Sequence, residues 1–314
     1  MTNPILVELT RGPIVESVHR GAVAIADTKG ATVFALGDVE RAIYPRSALK
    51  PIQALPLAES GAGVSEEELA LACASHSGEP MHTVPIAAWL ARIGCTQDDL
   101  ACGAHPPRYE PVWEEMIRRG EKPGRIHNNC SGKHTGFLAL ARHWNIATDG
   151  YERVDHPVQQ AVRQTLSELS GIADFAWGID GCTAPNFALP LSAFARALAK
   201  LPTRAGGARV VSAMIAHPEL VSGTGRACAS LMRAMKNVAV KAGAEGVYAA
   251  IVPERGLGIA LKIDDGAGRA AETAIAAVLA KLGVLPRDHP LVRAPVLNTR
   301  DAVVGERRPG AALL

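Results

Sequence analysis

The amino-acid sequence predicts an α+β fold: an antiparallel sheet built from N-terminal and C-terminal hairpins, packed with helices, plus a largely helical insertion. Three observations predict it. Val23-Ala-Ile-Ala26 and Thr32-Val-Phe-Ala-Leu36 flank Asp27-Thr-Lys-Gly30, a turn ending in glycine. Val247-Tyr-Ala-Ala-Ile-Val252 and Ile259-Ala-Leu-Lys-Ile-Asp264 flank Pro253-Glu-Arg-Gly256 in the same way. Between the hairpins, apolar residues recur at helical spacing. Residues 1–45 and 236–314 are therefore expected to form a sheet lobe, and residues 46–235 a mainly helical lobe, of one two-lobed unit. Two-lobed proteins usually carry their site in the cleft.

Taken in order, residues 13–38 read as strands, and Gly37-Asp38 closes the second. A helix begins at Ser47 and runs to about Glu59; Pro51 fits its first turn, where a missing N–H costs little. Ser65-Glu-Glu-Glu68 is a capping box opening a short helix toward Cys73. Residues 83–93 read as another helix, and Cys102-Gly-Ala-His-Pro-Pro107 as a loop. Phe137-Leu-Ala-Leu-Ala-Arg142 is a helical pattern, and Pro157 starts a helix over 157–169. Residues 192–200, 207–216 and 225–236 read as amphipathic helices. Residues 270–283 form a strongly apolar helix that backs the sheet. The tail after about 284 is proline-rich and reads as irregular.

The 314 residues suffice for a sizeable core. With 33 basic and 31 acidic side chains the net charge is +2, which gives no reason to expect nucleic acid or acidic lipid as partner. Aromatics are 4 %, too few for a base-stacking surface. The first residues show no signal-peptide pattern, and no window approaches a membrane-spanning apolar run. A cytoplasmic protein is expected. Its six cysteines then default to reduced thiols, and none has C-x-x-C spacing.

The chemistry concentrates in a few stretches. In Ser47-x-x-Lys50, residues three apart share a helix face. A neutral lysine there can take the serine proton and make the serine a nucleophile, as in serine β-lactamases and penicillin-binding proteins. The same spacing also describes a capped helix start with a solvated lysine. A lysine with a reference pKa of ~10.4 needs burial or a second ammonium to act as base. Lys241, followed by Ala242-Gly243, can supply that charge; Lys262 competes for the role. Arg46 is a candidate for the substrate carboxylate, or a surface arginine. Asp180 is a candidate for the substrate α-amine, or a turn carboxylate. Cys130 and Lys133 are three apart at a helix start and can converge, with Cys182 on a separate glycine-flanked turn. Thiolates are good zinc ligands. Buried thiols or a Cys130–Cys182 disulfide remain the alternatives. His82, His127 and His134 stay unassigned.

Arg46-Ser-Ala-Leu-Lys-Pro51, Cys73-Ala-Ser-His76, Asn129-Cys-Ser-Gly-Lys-His134, Trp177-Gly-Ile-Asp-Gly-Cys182 and Lys241-Ala-Gly-Ala244 occur in one order along residues 12–283. Together they resemble the rhizobial-type, or class 3, L-asparaginases, and the order of elements resembles the penicillin-recognising hydrolase fold shared with bacterial glutaminases. The resemblance implies an amidohydrolase that converts L-asparagine to L-aspartate and ammonia. It implies Ser47 as nucleophile and Lys50 as base, with Ser75 and Lys241 as a second serine–lysine pair; Ser77 lies outside the matching block. It further implies zinc held by Cys130, Lys133 and Cys182, with Asp180 beside it, and a homodimer. The chain is shorter than some relatives around 200–210 and at its C-terminus. Three other readings stay open: an L-glutaminase, a serine hydrolase acting on β-lactams or peptides, and a non-catalytic protein that binds an amino acid or zinc.

Overall fold

The computed structural model describes residues 2–314. They form two compact units. One comprises the chain up to residue 48 with residues 188–200 and 230–314; the other comprises residues 49–187 and 201–229.

The first unit is built on an antiparallel sheet of eight strands. Across it lie Ala294–Leu297, Val303–Pro309, Ile5–Arg11, Ile14–Asp27, Leu257–Ile263, Val247–Val252 and Ala239–Ala242, while Thr32–Leu36 pairs with the far half of Ile14–Asp27. The two expected hairpins are present, and they join with Ile259 opposite Ile25. The antiparallel sheet and the helical segment between its halves are those the sequence predicts.

Two features differ from the sequence reading. The tail expected to be irregular carries Ala294–Leu297 and Val303–Pro309, and a strand at Ile5–Arg11 precedes the expected run. Proline and charge mask the two tail strands, whereas Ile5-Leu-Val-Glu-Leu9 is an apolar run compatible with a strand. Pro309 falls on the last residue of its strand, where a missing N–H costs little. Arg308 reaches across to Glu8 at 3.0 Å, and Arg307 Nε donates to Thr273 Oγ1 at 2.7 Å. The second difference is helix Leu191–Lys200, which lies in the sheet unit although its number falls within 46–235. Strand Val247–Val252 is buried at every position and Leu257–Ile263 at most. Strands apolar on both faces need cover on both. Helix Gly268–Lys281 covers one face, packing against strands Val247–Val252 and Leu257–Ile263. Helix Leu191–Lys200 covers the other. It comes so close that a Cβ on Gly258 would lie 2.2 Å from the Ala199 nitrogen and 2.3 Å from the Ala195 oxygen.

The second unit is helical. Its central helix, Ser131–His143, is buried from Ser131 through Ala141. Helix Glu66–Ala72 packs against it and opens on the expected capping box: Glu68 N–H donates to Ser65 Oγ at 3.2 Å, and Ser65 N–H to the Glu68 carboxylate at 3.0 Å. The single helix expected from Ser47 to Glu59 is broken into a 3-10 turn, Arg46–Leu49, and helices Lys50–Gln53 and Leu55–Glu59. Pro56 has no N–H to continue the ladder, so the segment steps at Ala54. Among the described residues no helix is long and apolar enough to cross a membrane.

Gly258→Ala should destabilise the protein by at least about 2 kcal/mol, since backbone atoms cannot yield to the new methyl group. Gly268→Ala, at a helix start with nothing within 4 Å of the added atom, is the control and should change stability by less than about 0.5 kcal/mol. Denaturant midpoints measure both; equal midpoints would contradict the close helix–sheet packing.

Candidate active site

In the sheet unit, Ser47 sits half-buried in the turn Arg46–Leu49. Arg46 before it has φ +53°, the left-handed region that a non-glycine residue rarely adopts. Lys241, on strand Ala239–Ala242, is only 2 % exposed, and its Nζ donates to the Ala242 carbonyl at 2.9 Å. Lysines are almost never this buried without a task or a partner. Two residues on, a Cβ at Gly243 would lie 2.5 Å from the Pro45 oxygen and 3.3 Å from Ala48. The Lys-x-Gly spacing thus has a steric cause: the chain after Lys241 passes hard against the Ser47 turn. Lys262 donates instead to the carbonyls of Glu245 at 2.7 Å and Ile263 at 2.5 Å. Burial, then Arg41, lowers its pKa.

In the helical unit, Lys50 is 1 % exposed. Its Nζ donates to the Ala74 carbonyl, to Ser75 Oγ at 3.1 Å and to the Asn129 carbonyl at 3.5 Å. Within this unit Lys50 therefore pairs with Ser75. Ser75 is half-buried, and its N–H donates to the Val221 carbonyl at 2.9 Å. His76 is fully committed. Its Nδ1 accepts from Gly78 N–H at 3.1 Å, so Nε2 carries the proton and donates to Ser131 Oγ at 2.9 Å. Burial, then His82 and Lys50, holds its pKa well below the usual value. It is a neutral structural hydrogen-bonder. His82 stacks on it at 4.9 Å.

Cys130, Lys133 and Cys182 converge in the same unit, all three buried. Lys133 Nζ donates to Cys182 Sγ at 2.9 Å. A hydrogen bond from Cys130 brings the Cys182 thiol down to about 5 against the cost of burial, and the Lys133 charge adds to the effect. Cys130, the donor, is correspondingly pushed up to about 12 by that hydrogen bond and by burial. For Lys133, burial favours the neutral amine, but Cys182, Cys130 and Asp180 outweigh it and raise its pKa. In this arrangement a thiolate at Cys182 accepts hydrogen bonds from a thiol and an ammonium. Asp180 is half-buried in the turn that presents Cys182, where Thr183 N–H donates to the Asp180 carbonyl at 2.8 Å. Thr183 has φ +77°, a costly conformation for a β-branched residue. Among the described residues no group of three or more His, Cys, Asp and Glu side chains is placed to hold a metal. The soft donors here are two sulfurs, with an amine as the third.

Sequence reasoning missed two participants. The Asn129 carbonyl that faces Lys50 is backbone and leaves no residue-type signal. Cys102, buried and pushed up to about 12 by burial and then by Cys130 and Cys182, is a third thiol beside the cluster. Its only sequence signal was its place in a loop with His105, whose Nε2 accepts from Asn129 N–H at 2.9 Å.

Among solved structures the chain is similar to a beta-lactamase from Mycobacterium bovis, at 14 % identity over 83 % of this chain and 94 % of that one, with a TM-score of 0.36. It is similar to Mglu in its native form, at 13 % identity over 91 % and 70 %, TM-score 0.39. It is also similar to an octameric penicillin-binding protein homologue from Pyrococcus abyssi, at 13 % over 86 % and 75 %, TM-score 0.37. Similarities of that size say nothing of this chain's chemistry. A comparison with curated proteins finds no match. Residues 7–309 match the family described as L-asparaginase II. That match, nearly end to end, makes the class an amidohydrolase. The chain belongs to the L-asparaginase II family.

Because the Cys182 pKa is depressed, its thiolate is populated above about 5 and lost as pH falls through that value. Metal-free protein should therefore show ultraviolet thiolate absorbance at neutral pH, and Cys182→Ser should abolish it. Absorbance that emerges only in the ordinary thiol range, near about 8.5, would contradict the cluster's charge assignment.

Proposed function

We propose that this protein hydrolyses L-asparagine to L-aspartate and ammonia, with Ser47 as nucleophile. The observation that carries the reading is the buried Lys50, hydrogen-bonded to Ser75 and three residues from Ser47. Ser47 Oγ attacks the side-chain amide carbon, and its proton passes to Lys50 acting as base. The resulting ammonium is served by three acceptors: Ala74 O, Ser75 Oγ and Asn129 O. A primary ammonium has three N–H donors, so none is left bare. Ser75 and Lys241, the second serine and lysine implied by the family resemblance, are assigned to pass a proton to the leaving nitrogen as the C–N bond breaks. Water then attacks the Ser47 ester and gives a proton to restore the second pair, while the Lys50 ammonium returns its proton to Ser47 Oγ as aspartate leaves. Asp180 receives the substrate α-amine, and Arg46 lies beside Ser47 as a further charge. An L-glutaminase would use the same steps. One methylene in a pocket is worth only ~1–3 kcal/mol, so the two amides must be compared directly.

The donor set fits zinc: Cys182 is already a thiolate, and Cys130 and Lys133 both point their protons at it. Cys130, Lys133 and Cys182 would hold the ion, and binding would release the protons of Cys130 and Lys133. When bound, zinc supplies Lewis-acid polarisation and a fixed positive charge for orienting substrate. Ser47 remains the attacking group. The family resemblance also motivates a homodimer and a cytoplasmic location; ultracentrifugation reads the first.

Ammonia release from L-asparagine tests the reaction, with L-glutamine and nitrocefin in parallel. Ser47→Ala should lower kcat by about 1000-fold or more with the fold intact by circular dichroism. A Ser47→Ala protein that keeps most of its kcat would sink the assignment. Protein purified without chelator should contain zinc near one equivalent, lost in Cys130→Ala and in Cys182→Ala. Trace zinc, unchanged by either substitution, would refute the metal site.

A further inference from the structure

Glu79 is a carboxylate with 3 % of its surface exposed, and the proposed reaction gives it no task. Acidic side chains are almost never this buried unless paired. It stands at the N-cap of helix Pro80–Arg92, where a side-chain oxygen ordinarily accepts from the first turn. Glu79 makes no such bond. Its carboxylate turns instead to Thr224, accepting from Thr224 N–H at 2.9 Å and from Thr224 Oγ1 at 2.6 Å. The second distance is that of a charge-assisted O–H···O bond. Each donor meets an oxygen of its own, a fit that an amide, with one acceptor oxygen, cannot reproduce.

This bond is one rung of a series within the helical unit. Ser75 N–H donates to the Val221 carbonyl at 2.9 Å, Ser77 Oγ to the Ser222 carbonyl at 3.0 Å, and His82 Nε2 to the Glu219 carbonyl at 2.9 Å. Gly223 sits inside the seam. Its φ is +123°, and a Cβ there would lie 2.2 Å from Ser77 Oγ and 2.7 Å from Glu79 Oε1, so only glycine fits. The turn Ser222-Gly-Thr-Gly225 follows the short helix Pro218–Val221, whose last residue supplies the carbonyl that holds Ser75.

Ser75 lies between helices Glu66–Ala72 and Pro80–Arg92, in a stretch without regular structure. No helical ladder fixes its backbone, so the bond to Val221 matters. Its Oγ meets Lys50 Nζ at 3.1 Å. A misplacement of about 1 Å in a reacting group can cost about 100-fold in rate.

We propose that Glu79 is a positioning residue for Ser75. By holding Thr224 it fixes the turn after Val221, and with it the carbonyl that orients the serine beside Lys50. The effect on the reaction rests on the role given to Ser75 above; the effect on the Ser75 backbone rests on the hydrogen bonds alone.

The test compares wild type with Glu79→Gln, Thr224→Val and Thr224→Ser, each also in a Ser75→Ala background and each checked for folding by circular dichroism. Glu79→Gln and Thr224→Val should each lower kcat for L-asparagine about 10- to 100-fold with KM little changed. Thr224→Ser keeps the hydroxyl and should recover most of the loss. In the Ser75→Ala background neither Glu79→Gln nor Thr224→Val should lower the residual rate by more than about twofold, since groups that act through one another do not add. Amide hydrogen exchange reads the positioning without turnover. In both variants Ser75 N–H should exchange about tenfold faster or more, while Leu138 N–H, in helix Ser131–His143, keeps its wild-type rate. Unchanged Ser75 exchange in both variants overturns the proposal, as does a kcat within about twofold of wild type. An equal acceleration at Leu138, or an equal loss of rate in the Ser75→Ala background, means a merely structural role and overturns it too. Should Glu79→Gln not fold, Thr224→Val, at an exposed residue, carries every comparison. If wild type releases no ammonia from L-asparagine, the asparaginase reading fails separately, and the exchange comparison alone decides whether Glu79 positions Ser75.

Discussion

A primary amine with 1 % of its surface exposed must be surrounded by acceptors, and much of the helical unit is arranged to supply them to Lys50. Leaving a buried N–H without an acceptor would cost about 1–3 kcal/mol. Its acceptors come from two segments, residues 74–75 and residue 129, which therefore have to meet. His76 locks them together, its N–H on the Asn129 carbonyl at 3.2 Å and its ring on Ser131. Next to Asn129, the Asn128 side chain accepts from Cys130 N–H at 2.9 Å and fixes the start of helix Ser131–His143. Through these bonds the position of Lys50 is tied to that of Cys130 and Lys133. The serine–lysine pair and the thiol cluster are two ends of one hydrogen-bonded frame.

That frame closes only because the central helix comes unusually near its neighbour. A Cβ at Gly132 would lie 2.4 Å from the Leu71 carbonyl, and one at Gly136 would lie 3.3 Å from Leu57. The two glycines are four apart and share a face. Lys133, one position on, points away from that contact toward Cys182. Helix Glu66–Ala72, held close by the glycine face, runs directly into Cys73-Ala-Ser75. The small residues of Ser131-Gly-Lys-His-Thr-Gly136 thus set the spacing between the serine segment and the thiol cluster.

How much of this the sequence reveals depends on where the signal lives. The hairpins at 23–36 and 247–263 are legible because apolar runs flank glycine-ended turns. The cover by helix Leu191–Lys200 was available in principle: runs apolar at every position, not alternating ones, imply two buried faces. Strand Val303–Pro309 was not legible, since Glu306-Arg-Arg308 is charged and its pairing is with a strand almost three hundred residues away. Of the candidate residues, Ser47, Lys50, Ser75, Lys241, Cys130, Lys133 and Cys182 stand in motifs whose side chains announce themselves. The acceptors around Lys50 are largely backbone carbonyls and announce nothing.

Strain follows the same geography. Arg46 and Thr183 are non-glycine residues at φ +53° and +77°, and each adjoins a key group, Ser47 in one case and Cys182 in the other. Each conformation costs on the order of 1–3 kcal/mol. Glycine would relieve that cost but would widen the freedom of the unfolded chain and of the turn itself. Thr183 is kept in place by its N–H on the Asp180 carbonyl, and Asp180 N–H by the Ala184 carbonyl at 3.0 Å. A tight turn held that way fixes the direction of the Cys182 side chain against the pull of its charged neighbours. The same logic applies at Arg46, where the left-handed step turns the chain sharply between Pro45, which Gly243 abuts, and Ser47. Both turns give up stability locally for a single orientation of the residue beside them.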